Sequence, residues 1–201
     1  YEIAQCLVGS EMCIRDRFNV KQENDMETAM DTIFEAADIA IENGYNIIIL
    51  SDKGVDKDKA PIPALLVASG LHHHLIRKGT RMKVSIVLES GEPREVHHFA
   101  CLVGYGVNGI NPYMAYEAIK ELSDEKLLEY SYEDGVKRFN KACTKGIVKI
   151  MSKMGISTIQ SYQGAQIFEA LGISESVVNK YFTGTTTRIG GMGIEHIQKE
   201  V

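Results

Sequence analysis

Two groups of histidines could bind a metal ion. His72–His74 and His97–His98 supply imidazoles, which are common zinc ligands when neutral. Successive helical residues point about 100° apart, so the first three cannot all face one ion. The nearest thiol, Cys101, falls on an apolar helix face. We interpret the histidines as partners of other polar groups and predict no metal site, with a small metal hydrolase as the alternative.

Gly104, Gly106 and Gly109 have the spacing of a dinucleotide-binding fingerprint. In that fingerprint the glycines follow a strand and open a helix, whose N-terminus meets the pyrophosphate. Here they follow a predicted helix and lead into a predicted strand. We therefore interpret them as glycines that end a helix and form a turn, with phosphate contact as the alternative.

Acidic side chains cluster at Glu89, Glu92 and Glu95, next to Arg94. Such a run is more often a solvated loop between a strand and a helix than a catalytic pair of acids. Neither these carboxylates nor the glycines or histidines identify an active site on their own.

Composition limits the class of protein. The 201 residues are 44% apolar and 24% charged, with a net charge of −5, which is typical of a soluble chain with a sizeable core. The acidic balance argues against a nucleic-acid partner, since phosphate backbones attract clustered Lys and Arg. No apolar run is long enough to predict a membrane span. The cysteines have no paired spacing, which favours a reducing compartment, and we expect a cytoplasmic protein.

Residues 1–17 do not continue smoothly into the rest of the chain. The segment GSEMCIRDR resembles the translation of a sequencing-library adapter. We interpret residues 1–17 as such an artefact and exclude them from the predicted fold. A genuine N-terminal arm is the alternative.

The chain from Asp25 to about Tyr130 alternates helices and strands. Continuous apolar strands are typical of a parallel sheet covered by helices, which predicts an α/β fold with a Rossmann-like sheet. The predicted helices cover Met30 to Ile41, Pro63 to Ile76, Glu95 to Val103 and Tyr113 to Leu122, and the predicted strands Tyr45 to Asp52, Lys83 to Glu89 and Val107 to Ile110. We place a domain boundary at Ser131 to Asp134.

A predicted helix is followed by Gly155, which separates it from a predicted strand; we call this the glycine junction. Apolar residues at spacings of three and four predict a helix from Glu133 to Met154, and Gly155 suits its C-cap. The β-branched and aromatic residues from Ile156 to Tyr162 predict a strand. We predict further helices at Gly164 to Leu171, at Glu175 to Tyr181 with Ser174 as N-cap, and from about Gly193.

A segment rich in glycine and hydroxyl groups lies between these last two helices. From Gly184 to Gly191, backbone N–H groups could form an anion nest, and Arg188 supplies positive charge. Arg188 is therefore a candidate phosphate-loop residue. A flexible loop between helices is the alternative, which we favour.

Four long blocks resemble one protein family. In chain order they read IIILSDKG, PIPALLVASGLHHHLIRKG, SGEPREVHHFACLVGYGVNGINPYMAYEAI and KGIVKIMSKMGISTIQSYQGAQIFEALGI. Together they resemble the large subunit of glutamate synthase, and the resemblance extends from about Glu27 to Val201. It implies that residues 18–132 are the late part of the central domain and that residues 133–201 begin the (β/α)8 barrel that binds FMN.

The resemblance also implies an activity for the complete protein. Glutamate synthases hydrolyse glutamine in an amidotransferase domain, channel the ammonia to 2-oxoglutarate, and reduce 2-iminoglutarate with FMN to form glutamate. Electrons arrive through a 3Fe-4S cluster from ferredoxin, or from NADPH through a small subunit. The expected partners of this chain are therefore the amidotransferase, flavin and β-helix parts of the same polypeptide. We expect the chain alone to be an inactive fragment that binds no cofactor.

The resemblance suggests a structural role for the glycine junction in the complete enzyme. Lys153, Met154, Gly155 and Ser157 would form part of the wall between the central and flavin domains, near the ammonia path. An ordinary capped helix followed by a strand is the alternative.

Overall fold

The computed structural model describes residues 11–21 and 25–201. Its strands are β1 (Glu11–Arg15), β2 (Arg17–Asn19), β3 (Ile47–Ser51), β4 (Lys59–Pro61), β5 (Ser85–Glu89), β6 (Gly109–Asn111), β7 (Glu169–Ile173) and β8 (Thr186–Met192). Its helices are α1 (Asp25–Glu42), α2 (Ala64–Lys78), α3 (Val96–Gly104), α4 (Tyr113–Asp124), α5 (Tyr132–Lys153), α6 (Ile159–Tyr162), α7 (Glu175–Tyr181) and α8 (Ile194–Glu200). None of the helices described is both long and apolar enough to cross a membrane.

A parallel four-stranded sheet, in the order β1-β3-β5-β6, forms the centre of the molecule. Helices connect successive strands, which confirms the predicted α/β fold with a parallel sheet. In register, Ile48 pairs with Ile86 and Leu50 with Leu88, and all four side chains are wholly buried. The core continues into the apolar faces of α1 and α2.

Strand β1 belongs to the segment that we excluded from the fold. Glu11–Arg15 pairs in parallel with β3, and Ile14 enters the core. The exclusion is therefore wrong for the part of this segment that the structure describes, because an edge of β3 was open to any chain that could supply a strand. Residues 1–10 lie outside the described residues. The adapter origin of residues 1–17 stays a prediction.

The structure confirms the glycine that ends α5 and corrects the element after it. Gly155 has φ +71°, as a helix-ending glycine requires. Residues 156–162 do not form the predicted strand; Thr158 accepts a hydrogen bond from Ser161 N at 3.3 Å and caps α6. The buried Tyr162 donates to Ala100 O at 3.0 Å. This anchor on α3 outweighs the β-propensity of the segment.

Two further predictions in the last third of the chain are wrong. The helix predicted at 164–171 is absent: residues 164–168 have no regular secondary structure, and β7 begins at Glu169. The loop predicted around Arg188 is β8, which pairs in parallel with β7. Gly172 lies inside β7 with φ +73°, and its carbonyl closely approaches Gly191. This irregular pairing depends on residues that are distant in sequence, so helical spacing of apolar residues misled the prediction. Ser174 caps α7 as predicted.

Helix α7 shares the core with the first half of the chain. Val177 and Tyr181 are buried in the same cluster as α1 and α2, and Ser69 donates to Tyr181 O at 2.6 Å. Tyr105 and Thr185 hydrogen-bond at 2.7 Å. Residues after 133 thus pack on the first unit, and the domain boundary there stays a prediction.

Candidate functional site

Polar side chains converge where the parallel strands end. Ser51 ends β3 and Glu89 ends β5, while Asn111 ends β6. Because the carboxyl ends of parallel strands meet at one edge, this is where α/β proteins commonly place ligand sites. We call this group of residues, together with Asp52, Lys53 and Tyr113, the sheet-edge cluster.

Asp52 is the most enclosed carboxylate of the sheet-edge cluster, with 4% of its surface exposed. Its Oδ2 accepts hydrogen bonds from Ser90 Oγ at 2.7 Å and from Gly91 N at 3.0 Å. Its Oδ1 accepts from the Tyr113 hydroxyl at 2.8 Å. Burial raises the pKa of Tyr113 to about 12, and the hydrogen bond to Asp52 adds to the shift. The phenol therefore remains a hydrogen-bond donor at neutral pH.

Glu89 forms the second half of the cluster. It accepts from Ser51 Oγ at 2.7 Å, Lys53 Nζ at 2.8 Å and Asn111 Nδ2 at 3.2 Å. Burial alone would raise the pKa of Glu89, but the hydrogen bonds from Lys53 and Ser51 outweigh it and lower the pKa. Lys53 Nζ also lies 5.1 Å from the centre of the Tyr113 ring, which is within cation–π range.

Asp16 is an unsatisfied carboxyl beside the cluster. It is completely buried, and neither side-chain oxygen has a hydrogen-bond partner among the described residues. Burial raises the pKa of Asp16 to about 8, and the charge of Asp52 contributes. A carboxyl in this state is mostly protonated at neutral pH.

The sheet-edge cluster is arranged to hold loops in place and not to carry out a reaction. The oxygens of Asp52 and Glu89 are occupied by donors from the same chain, so neither is poised to accept a proton from a substrate. In the described ranges, no three His, Cys, Asp or Glu side chains are placed to hold a metal ion. Sequence reasoning missed Asp52, although a polar residue directly after an apolar strand was a usable signal.

The histidines point to different partners, as their helical spacing predicts. His72 accepts from Arg81 Nε at 2.9 Å, and His74 contacts Asp38 at 2.9 Å. Burial lowers the pKa of His72 and of His73 to about 4, so both are neutral at pH 7. His72 and His74 are partners of polar groups, as interpreted from sequence, whereas the buried Nε2 of His73 has no hydrogen-bond partner among the described residues.

The glycines of the fingerprint-like segment lie as predicted. Gly104 ends α3, Gly106 has φ +95° in the following turn, and Gly109 opens β6. A side chain at Gly106 would collide with the His72 ring. The glycines therefore allow a turn and a close approach, and no helix N-terminus is presented to a phosphate.

The acidic run is only partly a solvated loop. Glu89 belongs to the sheet-edge cluster, and both carboxylate oxygens of Glu92 lie 3.1 Å from Ala64 N, where they cap α2. Glu95 is the exposed N-cap residue of α3. The prediction of a solvated loop is thus wrong for Glu89, because its strand-end position brings it against Ser51 and Lys53.

The junction candidates lie together at the end of α5. Lys153 is the last helical residue, Met154 is the C-cap with 55% of its surface exposed, and Ser157 is exposed. No atom lies within 4 Å of where a Cβ at Gly155 would be. The four residues form an open surface, and their role beside an ammonia path stays a prediction.

Arg188 lies on β8 and is mostly exposed. Its Nε is 3.5 Å from Glu169 Oε1, and 77% of its side chain is exposed. A phosphate there would compete with this carboxylate, and no enclosing nest surrounds the guanidinium among the contacts described. Phosphate binding by Arg188 therefore remains a prediction without geometric support.

Comparisons with known proteins agree on one family. Residues 8–174 match the family model of the glutamate synthase central domain. The large chain of NADPH glutamate synthase from Bacillus subtilis is 52% identical over 184 residues, which cover 92% of this chain and 12% of that protein. NADH glutamate synthase from Schizosaccharomyces pombe is 45% identical over 171 residues, 84% of this chain and 8% of that protein.

Other similarities are more distant. Ferredoxin-dependent glutamate synthase from Pyropia yezoensis is 43% identical over 178 residues, 83% of this chain and 12% of that protein. Among solved structures, a mutant flavocytochrome b2 with pyruvate bound has a TM-score of 0.49 and 16% identity, covering 80% of this chain and 41% of that chain. A structural likeness of this size supports no conclusion about a barrel.

Proposed function

Because this chain belongs to the glutamate synthase central-domain family, we propose that it is a structural segment of a glutamate synthase and is inactive alone. The observation that carries the proposal is the coverage. The match takes in 92% of this chain but only 12% of the Bacillus subtilis large chain. The segment is thus a small part of the length over which such relatives extend.

The complete protein would make two glutamates from glutamine and 2-oxoglutarate. Glutamine hydrolysis releases ammonia, which must reach the keto acid without being protonated in bulk water. Excluding water also protects 2-iminoglutarate from hydrolysis. FMN, together with a 3Fe-4S cluster, would supply the reducing electrons when bound in the complete enzyme. The sheet-edge cluster contributes to this scheme as a fixed support and not as a reacting group.

The described residues of this chain do not fit a flavin site. Arg188 is open to solvent and paired with Glu169, and the carboxylates of the sheet-edge cluster are satisfied internally. A flavin phosphate requires several convergent donors. We therefore assign FMN and the cluster to other parts of the polypeptide, with the amidotransferase and β-helix parts and a small subunit or ferredoxin as partners. A cytoplasmic location accompanies this assignment.

Relatives with different electron donors share this segment. Relatives named for NADPH, NADH and ferredoxin all resemble it at 43–52% identity. A segment common to all three types would serve a step that they share.

The proposal is tested by comparing two proteins under the same conditions. The 201-residue chain and the full-length polypeptide that contains it are each supplied with glutamine, 2-oxoglutarate and an electron donor. We expect glutamate formation by the full-length protein and none by the chain. Glutamate formation or glutamine hydrolysis by the chain alone would overturn the assignment.

For Lys153, Met154, Gly155 and Ser157 we propose a place in the wall between domains of the complete enzyme. Their exposure at the end of a fixed helix supports this. In the full-length protein, Gly155→Val should leave the fold intact but uncouple glutamine hydrolysis from glutamate formation. Loss of folding instead would show that Gly155 acts only as the helix cap, because φ +71° is strained for valine.

A further inference from the structure

Helix α5 carries a regular row of exposed lysines. The row repeats every four residues and consists of Lys137, Lys141, Lys145, Lys149 and Lys153. Side chains four apart on a helix are neighbours, and such a row follows one of the ridges by which helices pack together. At a rise of 1.5 Å per residue, the row is about 24 Å long.

Most of this lysine row lacks opposite charges. Lys137 Nζ lies 3.7 Å from Asp134, whereas no carboxylate of the described residues lies within 4 Å of the other four ammonium groups. Elsewhere, Lys78 pairs with Asp38 at 3.6 Å and Lys180 with Glu27 at 2.9 Å. Like charges four apart on a helix cost about 0.2–0.5 kcal/mol per pair. The row is therefore unfavourable for this chain in isolation.

The opposite face of α5 packs against α3, which leaves the lysine row exposed to solvent. A Cβ at Gly146 would collide with Val96 of α3, and Cys143 and Met151 are buried. Phe139 packs edge-to-face on Phe99, with ring centres 5.9 Å apart. The helix therefore cannot rotate to bring the lysines to carboxylates of the same chain.

The helix dipole explains only one end of the row. Cations are favourable in the last turn of a helix, which accounts for Lys153. Lys141 and Lys145 lie in the middle of α5, where this effect has faded. Some other source of negative charge is needed to offset their mutual repulsion.

Apolar side chains beside the row indicate the kind of partner. Val148 and Met154 are each 55% exposed, and they are the sequence neighbours of Lys149 and Lys153 in the C-terminal half of the row. An apolar centre with a charged rim is typical of protein interfaces. A nucleic-acid strand is commonly held by cations together with stacking aromatic side chains, and neither Val148 nor Met154 is aromatic.

We propose that the lysine row docks on an acidic protein surface in the part of the full-length polypeptide outside these residues. The proposal rests on family membership and coverage, not on the reaction assigned above. The chain spans 12% of the Bacillus subtilis relative, so the rest of such a polypeptide offers most of the available surface. A second copy of this chain, through the exposed acidic residues Glu117, Glu121 and Asp124 of α4, is the competing occupant.

Lysine labelling tests the proposal directly. An amine-reactive acetylating reagent is applied to the 201-residue chain and to the full-length polypeptide, and modification is measured by mass spectrometry. We expect labelling of Lys141, Lys145 and Lys149 to slow about tenfold in the full-length protein, equivalent to about 1.4 kcal/mol. Lys57 and Lys83, which are exposed on other elements, serve as references. Equal labelling in both proteins would overturn the proposal.

Varying the concentration of the protein and adding nuclease distinguish the other possible partners of the lysine row. Protection that grows with the concentration of the 201-residue chain would identify a second copy and overturn the proposal. Protection of the full-length protein that disappears after nuclease treatment would identify a nucleic acid and overturn it too. Protection that survives dilution and nuclease supports an acidic surface of the same polypeptide.

Neutral variants provide a second test, because the unfolding midpoint should respond differently in the 201-residue chain and in the full-length protein. Lys141→Gln, Lys145→Gln and Lys149→Gln together remove repulsion, so the unfolding midpoint of the 201-residue chain should rise or stay unchanged. In the full-length protein the same variant should lower the midpoint, because docking contacts are lost. The control replaces Lys57, Lys83 and Lys199 by Gln and should show no such reversal. Any other pattern contradicts the proposal, and activity is not needed for either measurement.

Discussion

The Tyr113 hydroxyl donates a hydrogen bond to Asp52 Oδ1 across 2.8 Å, which joins the start of α4 to the end of β3. The other oxygen of Asp52 binds Ser90 and Gly91. A single buried carboxylate thus joins the segments that follow three neighbouring strands, β3, β5 and β6, at one edge of the sheet. This connection makes the sheet-edge cluster a stability element that mutation can measure.

Removing the Tyr113 hydroxyl should destabilise the chain. Tyr113→Phe leaves Asp52 Oδ1 buried without this donor, and we expect a loss of about 1–3 kcal/mol in the free energy of unfolding. Urea titration measures the loss. Tyr116→Phe is the matched control, because its hydroxyl binds Asn140 at an exposed position. Equal losses for both variants would contradict the assigned importance of Asp52.

Asp16 should make stability depend on pH. Its pKa is raised by burial to about 8 in the folded chain, from 3.8, so the folded state holds this proton more tightly than the unfolded state. The contribution is fully present below pH 3.8 and is lost as the pH rises towards about 8. Asp16→Asn should reduce this decline and stabilise the chain near pH 7 by on the order of 4 kcal/mol.

Urea unfolding at a series of pH values checks this behaviour. The exposed Asp124 provides the control variant Asp124→Asn, which should preserve the pH profile of the parent chain. A profile unchanged by Asp16→Asn would show that Asp16 is not the group responsible.

Two glycines with positive φ should respond differently to alanine. Gly106 and Gly155 have φ +95° and φ +71°, and this backbone conformation costs alanine about 1–2 kcal/mol at either position. At Gly106 the added methyl also meets the His72 ring, whereas the space at Gly155 is open. Gly106→Ala should therefore lower the thermal midpoint more than Gly155→Ala. The reverse order would show that the ring moves aside without cost.

Gly70→Ala tests how closely α2 packs against both α1 and α7. A Cβ there would lie 2.8 Å from Met30 and 3.1 Å from Tyr181. Overpacking should cost about 1–3 kcal/mol, despite a gain of about 1 kcal/mol in helix propensity. Gly190→Ala, in open space, is the control.

Calorimetry should show one unfolding transition for both of these variants and the parent chain. A parent chain that unfolds in two separate transitions would mean that the last third folds independently. That outcome would favour the domain boundary predicted at residue 133.

The sequence alone determined the elements whose signals are local. The apolar runs of β3 and β5 and the helix-ending Gly155 predicted elements that the structure contains. Four family-like blocks also identified the family, because long blocks in a fixed order are far more specific than a short motif. Helical spacing likewise predicted that adjacent histidines would diverge.

Tertiary structure decided the elements whose partners are distant. Residues 159–162 became a helix because Tyr162 binds Ala100 O, and Glu169–Ile173 became a strand because β8 pairs with it. Asp52 gained its role only when Tyr113, Ser90 and Gly91 met it at the sheet edge. Local propensities amount to about 1 kcal/mol per residue or less, so buried pairing and hydrogen bonding between distant residues can outweigh them.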